Sequence, residues 1–411
     1  MTRVLIADKF EKVGIDGLKD LGFDVVVRPD LTLEELGDAL HEVDPKILIV
    51  RSKKVPEEAM KKAPGLSLVI RAGAGIDTID VAAASRLGIF VSNCPGKNSI
   101  AVAELVMALL LACDRRVADQ VIELRRGEWN KGQYSKARGL YGRTLGIVGL
   151  GQIGREIAKR ALSFGMKVIA WSRQLTLADC IELGIDYAET PLDVARHSDA
   201  VTINVASTAE TKHLVNAEFL GVMRQGAYFI NTSRGSVVDE AALLEAIATK
   251  GIRCGLDVYQ GEPGSLKGTF DSVLAKAPGV TGTHHIGAST DQAQTAIAHE
   301  VIRIVQQFNQ SGTALHCVNR LAKSSATHVL SVRHQNKPGV LAHVFRVLSD
   351  ERINVEEVEN IAYHGSEAAS ARVHVTGRPS QHAIDEIKGG NPNVISIDLT
   401  EIRRKSHGPG S

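Results

Sequence analysis

The sequence predicts an α/β fold with two doubly wound parallel-sheet lobes and a small α+β module at the carboxy-terminal end. Short apolar runs alternate with helical patterns along residues 1–97, and the same alternation begins again at about residue 142. Such alternation is typical of parallel sheets covered by helices. Polar breaks at 311–313 and 323–327 then set off a third unit, and a chain of 411 residues has room for it.

The first lobe is predicted from short buried strands separated by helices. The strands are residues 4–7, 25–27, 47–50 and 68–70, with a helix at 33–43. Asn98 and Ser99 are predicted to cap the next helix. Its apolar stretch, 100–113, contains Glu104 and is too short to span a bilayer. We therefore expect a buried helix that links the two lobes.

The second lobe is predicted from a new series of strands and helices. Its strands are residues 145–148, 166–171, 200–203, 227–231 and 254–258, with a first helix at 153–164. This is the plan of a Rossmann domain, which we assign to residues 98–285. A helix predicted at 290–309 returns the chain to the first lobe. Residues 1–97 and 286–320 are therefore predicted to form a discontinuous, flavodoxin-like substrate domain.

The third unit is predicted from a strand, helix, strand, strand, helix, strand order. These elements are residues 328–332, 341–350, 355–361, 369–375, 383–388 and 394–399. The order is that of a ferredoxin-like module, which we assign to residues 325–403. Residues 404–411 are predicted to be a disordered tail.

Charge and cysteine content argue against several classes of function. The chain has 48 basic and 47 acidic residues and a net charge of +1, so neither nucleic acid nor a membrane is an expected partner. Its five cysteines are scattered and show no CxxC spacing, which argues against a disulfide framework and a zinc site. The first residues enter a strand without a signal-peptide pattern. We therefore expect a cytoplasmic protein without a bound metal.

A glycine-rich turn marks the predicted cofactor site. Gly149, Gly151 and Gly154 follow the strand 145–148 and begin a helix. In a dinucleotide-binding fold the first glycine forms the turn, the second lets the backbone approach the pyrophosphate, and the third allows close packing. Backbone N–H groups at the start of the helix then face the phosphates. The sequence therefore predicts binding of NAD or NADP.

The residues expected to select between these cofactors are Ser172 and Arg173, at the end of the strand 166–171. In NAD-binding domains an acidic residue near this point binds the ribose 2′-hydroxyl. A hydroxyl and a guanidinium suit a 2′-phosphate better, because arginine forms charge-assisted hydrogen bonds with phosphate oxygens. This pattern favours use of NADP. The alternative is a solvated Arg173 in an enzyme that binds NAD with less selectivity.

Three side chains of the second lobe predict hydride transfer involving a hydroxy or keto acid. Arg234 follows a buried strand, and a guanidinium can bind a carboxylate and a carbonyl oxygen together, although a lone arginine more often forms a surface ion pair. His285 supplies a group suited to proton transfer near neutral pH. Glu262 would hold one nitrogen of the ring. His284 is the competing candidate, since two adjacent side chains cannot both face the cleft.

The ordered set of motifs resembles the D-isomer-specific 2-hydroxyacid dehydrogenases, in particular the members with a carboxy-terminal ACT domain. The matching segments are 71–77, Asn98 with 102–104, 142–165, 231–239, 257–263 and 285–290. The resemblance implies that Arg234 binds and polarises the substrate and that Glu262 and His285 form the proton-transfer pair. It also implies a homo-oligomer, either a dimer or a tetramer.

Further residues are assigned by this resemblance alone. Backbone amides of Ala74 and Gly75 would hold the substrate carboxylate. Positions that match cofactor contacts are Gln152, Ile153, Val205, Thr232, Asp257 and Ala288. Two positions depart from the family pattern, because Ser172 replaces the usual acid and Asn204 replaces the usual histidine.

The family members with an ACT domain imply D-3-phosphoglycerate as the substrate, oxidised to 3-phosphohydroxypyruvate on the route to L-serine. Arg51, Lys53 and Lys54 follow a buried strand and can close over a phosphate dianion, and Arg51 matches the family's phosphate contact. The alternative is a solvated basic turn. Two other functions stay open. One is a glyoxylate or hydroxypyruvate reductase, which fits Ser172 and Arg173, or another D-2-hydroxyacid dehydrogenase; the other is a nucleotide-sensing corepressor, which would not need the catalytic trio.

The third unit resembles an ACT domain at its first strand-to-helix loop. His334, Asn336 and Asn354 match positions that contact the effector serine in serine-sensitive relatives. The resemblance therefore implies L-serine as an effector, bound where two modules pair through their sheets. The alternative is a dimerisation module that binds no effector.

Overall fold

The computed structural model describes residues 1–263, 267–321 and 324–402, and the predicted tail at 404–411 lies outside these ranges. The chain divides into two compact units, Met1–Asn319 and a second unit that begins at Arg320. The first unit contains two parallel sheets and the second contains one antiparallel sheet. The predicted fold class is therefore confirmed. The boundaries drawn between a substrate domain and a cofactor domain stay predictions.

The first sheet has five parallel strands in the flavodoxin-like order β2-β1-β3-β4-β5. The strands are β1 (Arg3–Ile6), β2 (Asp24–Val27), β3 (Ile47–Val50), β4 (Leu68–Arg71) and β5 (Phe90–Ser92). The helices beside it are α1 (Lys12–Asp20), α2 (Leu33–Val43), α3 (Glu57–Met60) and α4 (Val81–Arg86). Every residue of β3 is buried, because helices cover both faces of the sheet.

The second sheet has seven parallel strands in the order β12-β11-β10-β9-β6-β7-β8, which contains the strand order of a Rossmann domain. The strands are β6 (Thr144–Val148), β7 (Lys167–Trp171), β8 (Asp186–Tyr187), β9 (Ala200–Ile203), β10 (Tyr228–Asn231), β11 (Arg253–Leu256) and β12 (Val280–Gly282). The helices are α5 (Ser99–Arg115), α6 (Val117–Arg125), α7 (Lys131–Tyr134), α8 (Gln152–Ser163), α9 (Leu177–Leu183), α10 (Pro191–His197), α11 (Ala217–Val222), α12 (Glu240–Lys250) and α13 (Val273–Lys276), with a 3₁₀ turn at Gly235–Val237.

A long helix, α14 (Asp291–Ser311), returns the chain to the first sheet, as predicted. Its apolar face, which includes Ile297 and Val301, packs in the same core as β1, β3 and β4. Glu300 is also buried on this helix, where it pairs with Lys97 at 3.1 Å, with His316 at 2.8 Å and with Arg303. Burial alone would raise the pKa of Glu300, but hydrogen bonds from these three partners lower it to about 2. Three positive or protonatable groups therefore surround one buried carboxylate.

The structure differs from the sequence prediction at several local points. The short strands β5, β8 and β12 were not predicted, since each has only two or three residues. The predicted cap of α5 is wrong, because the Asn98 side chain makes no capping hydrogen bond and its Oδ1 is buried without a partner among the described residues. The helix begins at Ser99 all the same, since its buried face packs against the second sheet.

The second unit has the predicted ferredoxin-like order, with strands paired as β14-β15-β13-β16. Its elements are β13 (His328–Gln335), α15 (Val340–Asp350), β14 (Asn354–Ala362), β15 (Ala368–Thr376), α16 (Gln381–Gly389) and β16 (Val394–Glu401). Alternate residues of β15 are buried, so one face of the sheet packs against the two helices. The strand β14 lies at the edge and is exposed along most of its length.

Over the described ranges, no helix has the length and apolar character needed to cross a membrane. The five cysteines are free thiols, four of them buried. The same ranges contain no cluster of three His, Cys, Asp or Glu side chains placed to hold a metal ion.

Candidate active site

Loops at one edge of the second sheet carry the three predicted catalytic residues. The strands β10, β11 and β12 are parallel neighbours, so their carboxyl ends lie at the same edge. Arg234 follows β10, Glu262 lies in the loop after β11, and His285 lies just after β12. The topology therefore brings together residues that are distant in the sequence.

His285 and Glu262 are in direct contact. The Nδ1 of His285 lies 2.7 Å from Oε2 of Glu262. Because a carboxylate can only accept, Nδ1 carries the proton of this hydrogen bond and Nε2 is left to exchange a proton. His285 is about half exposed, with 48% of its side chain accessible. By contrast, His284 is exposed and forms no side-chain hydrogen bond within the described residues.

Glu262 is held in its charged form. Its other oxygen, Oε1, accepts a hydrogen bond from the backbone N–H of Tyr259 at 2.7 Å. Partial burial would raise the pKa of Glu262, but the hydrogen bonds from His285 and Tyr259 and the charges of His285 and Arg234 outweigh it. The pKa therefore lies below its ordinary value. A carboxylate in this state stabilises a proton on the imidazole.

Asp257, predicted as a cofactor contact, is buried and orders the loop that carries His285. Its carboxylate accepts hydrogen bonds from the Thr283 hydroxyl at 2.6 Å and from the N–H groups of Ile286 and Gly287 at 2.8 and 2.9 Å. Its carbonyl oxygen accepts from the His285 N–H at 2.8 Å. His285 has a φ of 53°, in the left-handed region that residues other than glycine adopt uncommonly.

Arg234 reaches across the cleft to the loop after β4. Its Nε donates to Oδ2 of Asp77 at 2.8 Å, its Nη2 lies 2.7 Å from the same oxygen in an ion pair, and its Nη1 donates to the Ser233 carbonyl at 2.7 Å. The guanidinium lies over Gly75, where a Cβ would overlap Nη2. Ala74, the other predicted carboxylate-binding position, accepts a hydrogen bond at its carbonyl from Asn93. The predicted substrate residues Ala74, Gly75 and Arg234 therefore lie together.

Arg71 belongs to the same region and was not predicted as a site residue. It is the last residue of β4, and its Nε is buried without a partner among the described residues. Burial, and then the charges of Arg234 and Arg51, lower the pKa of Arg71 to about 10, although Asp77 acts in the opposite direction. Its position at the carboxyl end of a buried strand was the available signal, the same one that identified Arg234.

The basic turn after β3 is only partly available to a ligand. Asp8 accepts hydrogen bonds from the backbone N–H groups of Arg51, Ser52 and Lys53 at 2.7, 3.0 and 2.9 Å. The ammonium of Lys53 donates to the Leu31 carbonyl, so this lysine is already committed within the fold. Arg51, by contrast, has its charge close to Arg71. The phosphate-binding candidates are therefore Arg51 and Arg71.

The glycine-rich turn fits a dinucleotide. Gly149 has a φ of 97°, and a Cβ there would lie 2.6 Å from the Asn204 carbonyl oxygen. A Cβ on Gly154 would overlap the Gly149 carbonyl. A Cβ on Gly151, however, would meet no atom within 4 Å, so nothing in the protein requires glycine there. The open space at the start of α8 matches the place where a pyrophosphate would lie.

Other cofactor candidates lie at this turn or in loops that follow other strands of the same sheet. The Thr232 hydroxyl and Asn204 Oδ1 are buried without a hydrogen-bond partner among the described residues, as expected for groups that await a polar ligand. Val205 packs partly buried against the second-sheet core. Ile153 packs against the core beneath α8, and the Gln152 side chain lies over Gly96. Ala288 follows the His285 loop, where its carbonyl accepts from Gln294 at 2.6 Å.

Ser172 and Arg173 follow β7 at the same edge of the sheet. Arg173 is exposed and lies close to Glu210, in the loop after β9. The pKa of Glu210 lies below its ordinary value, mainly through a hydrogen bond with Thr208 and to a smaller extent through the charge of Arg173. Arg173 therefore has an acidic neighbour within its own domain.

The three candidate effector residues do not converge within one module. His334 is buried, with Nδ1 at 2.7 Å from the Gln335 carbonyl and Nε2 at 3.1 Å from Oδ1 of Asn360. Asn336, just beyond β13, is exposed and donates to the Ser366 carbonyl at 3.1 Å. Asn354 pairs with Thr376 at the end of the sheet where β13 begins. It therefore lies at the opposite end of the sheet from His334 and Asn336.

Comparison with known proteins agrees with this geometry. Residues 107–287 match the NAD-binding domain of the D-isomer specific 2-hydroxyacid dehydrogenases, and residues 328–359 match the ACT domain. The D-3-phosphoglycerate dehydrogenase of Methanocaldococcus jannaschii is 36% identical over 321 residues, 78% of this chain and 60% of that protein. The chain thus spans about 60% of the length of this relative.

Two further relatives match over nearly their whole length. The hydroxypyruvate reductase of Thermotoga maritima is 38% identical over 303 residues, 73% of this chain and 96% of that protein. The solved structure of the NADPH-dependent glyoxylate/hydroxypyruvate reductase from Sinorhizobium meliloti, in complex with NADP and malonate, matches with a TM-score of 0.67 and 29% identity. That match covers 78% of this chain and 99% of the other. On these similarities and the matched NAD-binding domain, the chain belongs to the D-isomer specific 2-hydroxyacid dehydrogenase family.

Proposed function

We propose that this protein oxidises D-3-phosphoglycerate to 3-phosphohydroxypyruvate with a nicotinamide cofactor. The observation that carries the proposal is the contact between His285 and Glu262 at 2.7 Å, on the same edge of the sheet as Arg234. Similarity to phosphoglycerate dehydrogenases at 36% identity supports the choice of substrate. The matched ACT domain supports it further, because an amino-acid-binding module suits an enzyme of amino-acid synthesis.

The roles of the side chains follow from their contacts. Nε2 of His285 takes the proton of the substrate hydroxyl, while Glu262 stabilises the resulting imidazolium through Nδ1. The outer N–H groups of Arg234 bind the carboxylate and the oxygen that becomes the carbonyl. A bound nicotinamide cofactor would supply the acceptor for the hydride from C2 of the substrate. Gly149, Gly151, Gly154, Thr232 and Val205 would hold the cofactor.

The phosphate of the substrate would be bound by Arg51 and Arg71. The charges of Arg234 and Arg51 both lower the pKa of Arg71, so Arg71 lies close to each of them. A partly buried guanidinium with an unpartnered Nε gains most from a dianion, because the charge-assisted hydrogen bond replaces none within the protein. We assign Lys53 no contact, because the Leu31 carbonyl accepts from its ammonium.

Three finer statements belong to the same proposal. NADP is used at least as well as NAD, supported by Ser172 and Arg173 and by the NADP complex of the related Sinorhizobium meliloti reductase. L-Serine binds the ACT modules where two copies of the chain meet, supported by the matched ACT domain and by His334, Asn336 and Asn354. The enzyme is expected to act in the cytoplasm as a homo-oligomer.

A second function, hydroxypyruvate or glyoxylate reduction, is favoured by one observation. The Thermotoga maritima hydroxypyruvate reductase is 38% identical and is covered over 96% of its length. That reaction uses the same trio but needs no phosphate-binding arginine. A corepressor that senses nucleotides without turnover would need neither.

The deciding experiment compares kcat/KM for 3-phosphohydroxypyruvate, hydroxypyruvate and glyoxylate, each with both reduced cofactors. We expect the phosphorylated acid to be preferred, and Arg51→Ala to lower kcat/KM for that substrate by roughly 10- to 100-fold, with much smaller losses for the other two. A preference for hydroxypyruvate that Arg51→Ala leaves unchanged would favour the reductase. Absence of turnover with all three, in a protein that still binds the cofactor, would favour the corepressor.

A further inference from the structure

Asp77 is the one carboxylate, in the described part of the chain, that pairs with the guanidinium of Arg234. It lies in the loop after β4, whereas Arg234 lies in the loop after β10, so the pair joins the edges of the two sheets of the first unit. Asp77 is half exposed, and an exposed ion pair contributes little to stability. Its position against a residue of the proposed active site therefore calls for another role.

The geometry of the pair defines which donors of Arg234 stay free. A guanidinium has five N–H groups. The Nε–H donates to Oδ2 of Asp77, Nη2 lies 2.7 Å from the same oxygen, and one Nη1–H donates to the Ser233 carbonyl. At least one N–H on each terminal nitrogen therefore remains, and the outer edge of the group formed by Nη1 and Nη2, the end-on fork, can still bind a ligand. That fork matches the adjacent oxygens of a 2-oxo acid.

Gly75 leaves room for the Arg234 guanidinium in this position. The guanidinium lies on the Gly75 backbone, where any Cβ would overlap Nη2 and would lie 3.0 Å from Oδ2 of Asp77. The guanidinium therefore contacts Asp77 through Nε and Nη2 and Ser233 through Nη1, in a position that only glycine at 75 leaves open. Only Asp77 supplies a charge.

We propose that Asp77 is a positioning residue that fixes the Arg234 guanidinium, so that its end-on fork faces the carboxylate and carbonyl oxygens of the substrate. The inference rests on the proposed role of Arg234 and deepens it. It predicts that recognition of a planar 2-oxo acid depends on Asp77, whereas attraction of anions by charge alone does not. Without the Asp77 carboxylate, the charge of Arg234 is no longer neutralised and still attracts anions. The guanidinium, however, is no longer held in one orientation.

The test uses calorimetry on the full chain with bound cofactor and two probes, oxamate and inorganic phosphate. Oxamate presents a carboxylate beside a carbonyl, as the substrate does, whereas phosphate responds mainly to charge. In Asp77→Asn we expect the dissociation constant of oxamate to rise roughly 10- to 100-fold and that of phosphate not to rise. In an Arg234→Lys background, Asp77→Asn should change oxamate affinity less than about threefold, because lysine has no fork to orient.

The matched control is Asp80→Asn in the same loop. Asp80 caps α4 by accepting from the Ala83 N–H at 2.9 Å, a role that asparagine also fills. We expect wild-type binding of both probes in this variant. Equal oxamate affinity in Asp77→Asn and wild type, independent losses in the double variant, or loss of phosphate binding together with oxamate would overturn the proposal, as would a wild type that does not bind oxamate. Because binding is measured without turnover, failure of the phosphoglycerate assay would leave this result intact.

Discussion

The predicted ligand residues are arranged differently in two of the sheets. They lie together at one edge of the second parallel sheet, but at two ends of the antiparallel sheet of the carboxy-terminal unit. Arg234, Glu262 and His285 each follow a strand of the parallel sheet, and all three arrive at one edge. In the smaller sheet, His334 and Asn336 lie at the end of β13, whereas Asn354 lies at the start of β14. These strands run in the same direction on either side of β15, so the two positions are at opposite ends.

The difference shows that the end of the strand matters as much as the residue type. A residue that follows a parallel strand lies at the edge of the sheet where the carboxyl ends of the strands meet and ligands bind. A residue just before the next parallel strand lies at the opposite edge, even though only one helix separates it in sequence from the end of the preceding strand. The three catalytic candidates therefore meet within one chain, whereas the three effector candidates do not, so a site that used all three would need residues from a second copy.

Replacement of His285 gives the largest expected effect and tests the convergent set. His285→Ala should lower kcat by roughly 100- to 10,000-fold, because it removes the proton-transfer group without touching the glycine-rich turn. Cofactor binding, followed by fluorescence, should stay close to wild type. His284→Ala is the control and should keep nearly full turnover, since its side chain makes no contact with Glu262. The reverse outcome would show that His284 is the proton carrier.

Arg173 tests whether the same edge also selects the cofactor. Arg173→Ala should lower kcat/KM with NADP by roughly 10- to 100-fold, because a 2′-phosphate loses a charge-assisted partner. The value with NAD should change less than about threefold. Arg173→Lys keeps the charge and should lie between wild type and the alanine variant. Equal losses with both cofactors would remove this role from Arg173.

Subunit mixing tests whether the divergent set needs two chains. Asn336→Ala and Asn354→Ala should each raise the serine concentration for half inhibition by about 5- to 100-fold, without change in activity when serine is absent. Mixed oligomers of the two variants should regain sensitivity, because one interface then combines an intact Asn336 with an intact Asn354. A wild type that ignores millimolar serine would contradict the effector assignment. If the wild type is inhibited by serine but the mixed oligomers do not regain sensitivity, both residues would belong to a site within one module.

Replacement of Glu300 gives the smallest expected effect and tests how much a buried, ion-paired carboxylate contributes to stability. Its pKa of about 2 lies below the ordinary 4.5, so its stabilisation is complete above about pH 4.5 and is lost as the pH falls toward 2. Glu300→Gln should lower the free energy of unfolding at pH 7 by about 2 kcal/mol. The difference from wild type, measured by urea unfolding, should narrow below about pH 4.5. The exposed Glu128→Gln should show no difference at either pH.

Much of the fold could be predicted because buried parallel strands are continuous apolar runs. The helix at 33–43 and the strand at 200–203 have the predicted bounds, and the ferredoxin-like order is confirmed. The strand β8, with exposed Asp186 and Tyr187, has no such run and was missed. Asn98 shows the limit of local rules, because its residue type favours a cap but its backbone angles do not provide one.

The site was predictable where a residue's role depends on its place in a strand order, and less so where it depends on a neighbour. His285 and Glu262 meet as expected, although their catalytic roles stay a proposal. Two contacts depend on loops that come together only in the folded chain. They are the hydrogen bond from the Lys53 ammonium to the Leu31 carbonyl and the ion pair of Arg234 with Asp77. Arg71 is different, since its position at the end of β4 would have been enough to select it.

The backbone conformation at position 285 favours glycine, whereas the proposed reaction needs the side chain of His285. A φ of 53° is cheap for glycine and costs a side-chain-bearing residue about 1 kcal/mol. Asp257 holds the loop in this shape by accepting four hydrogen bonds, one from the backbone N–H of residue 285 and three from Thr283, Ile286 and Gly287. None of the four involves the side chain of residue 285. A lineage released from selection for catalysis would therefore drift toward glycine at this position. Glycine there, with Asp257 retained, would identify a descendant that has kept the architecture and abandoned the reaction.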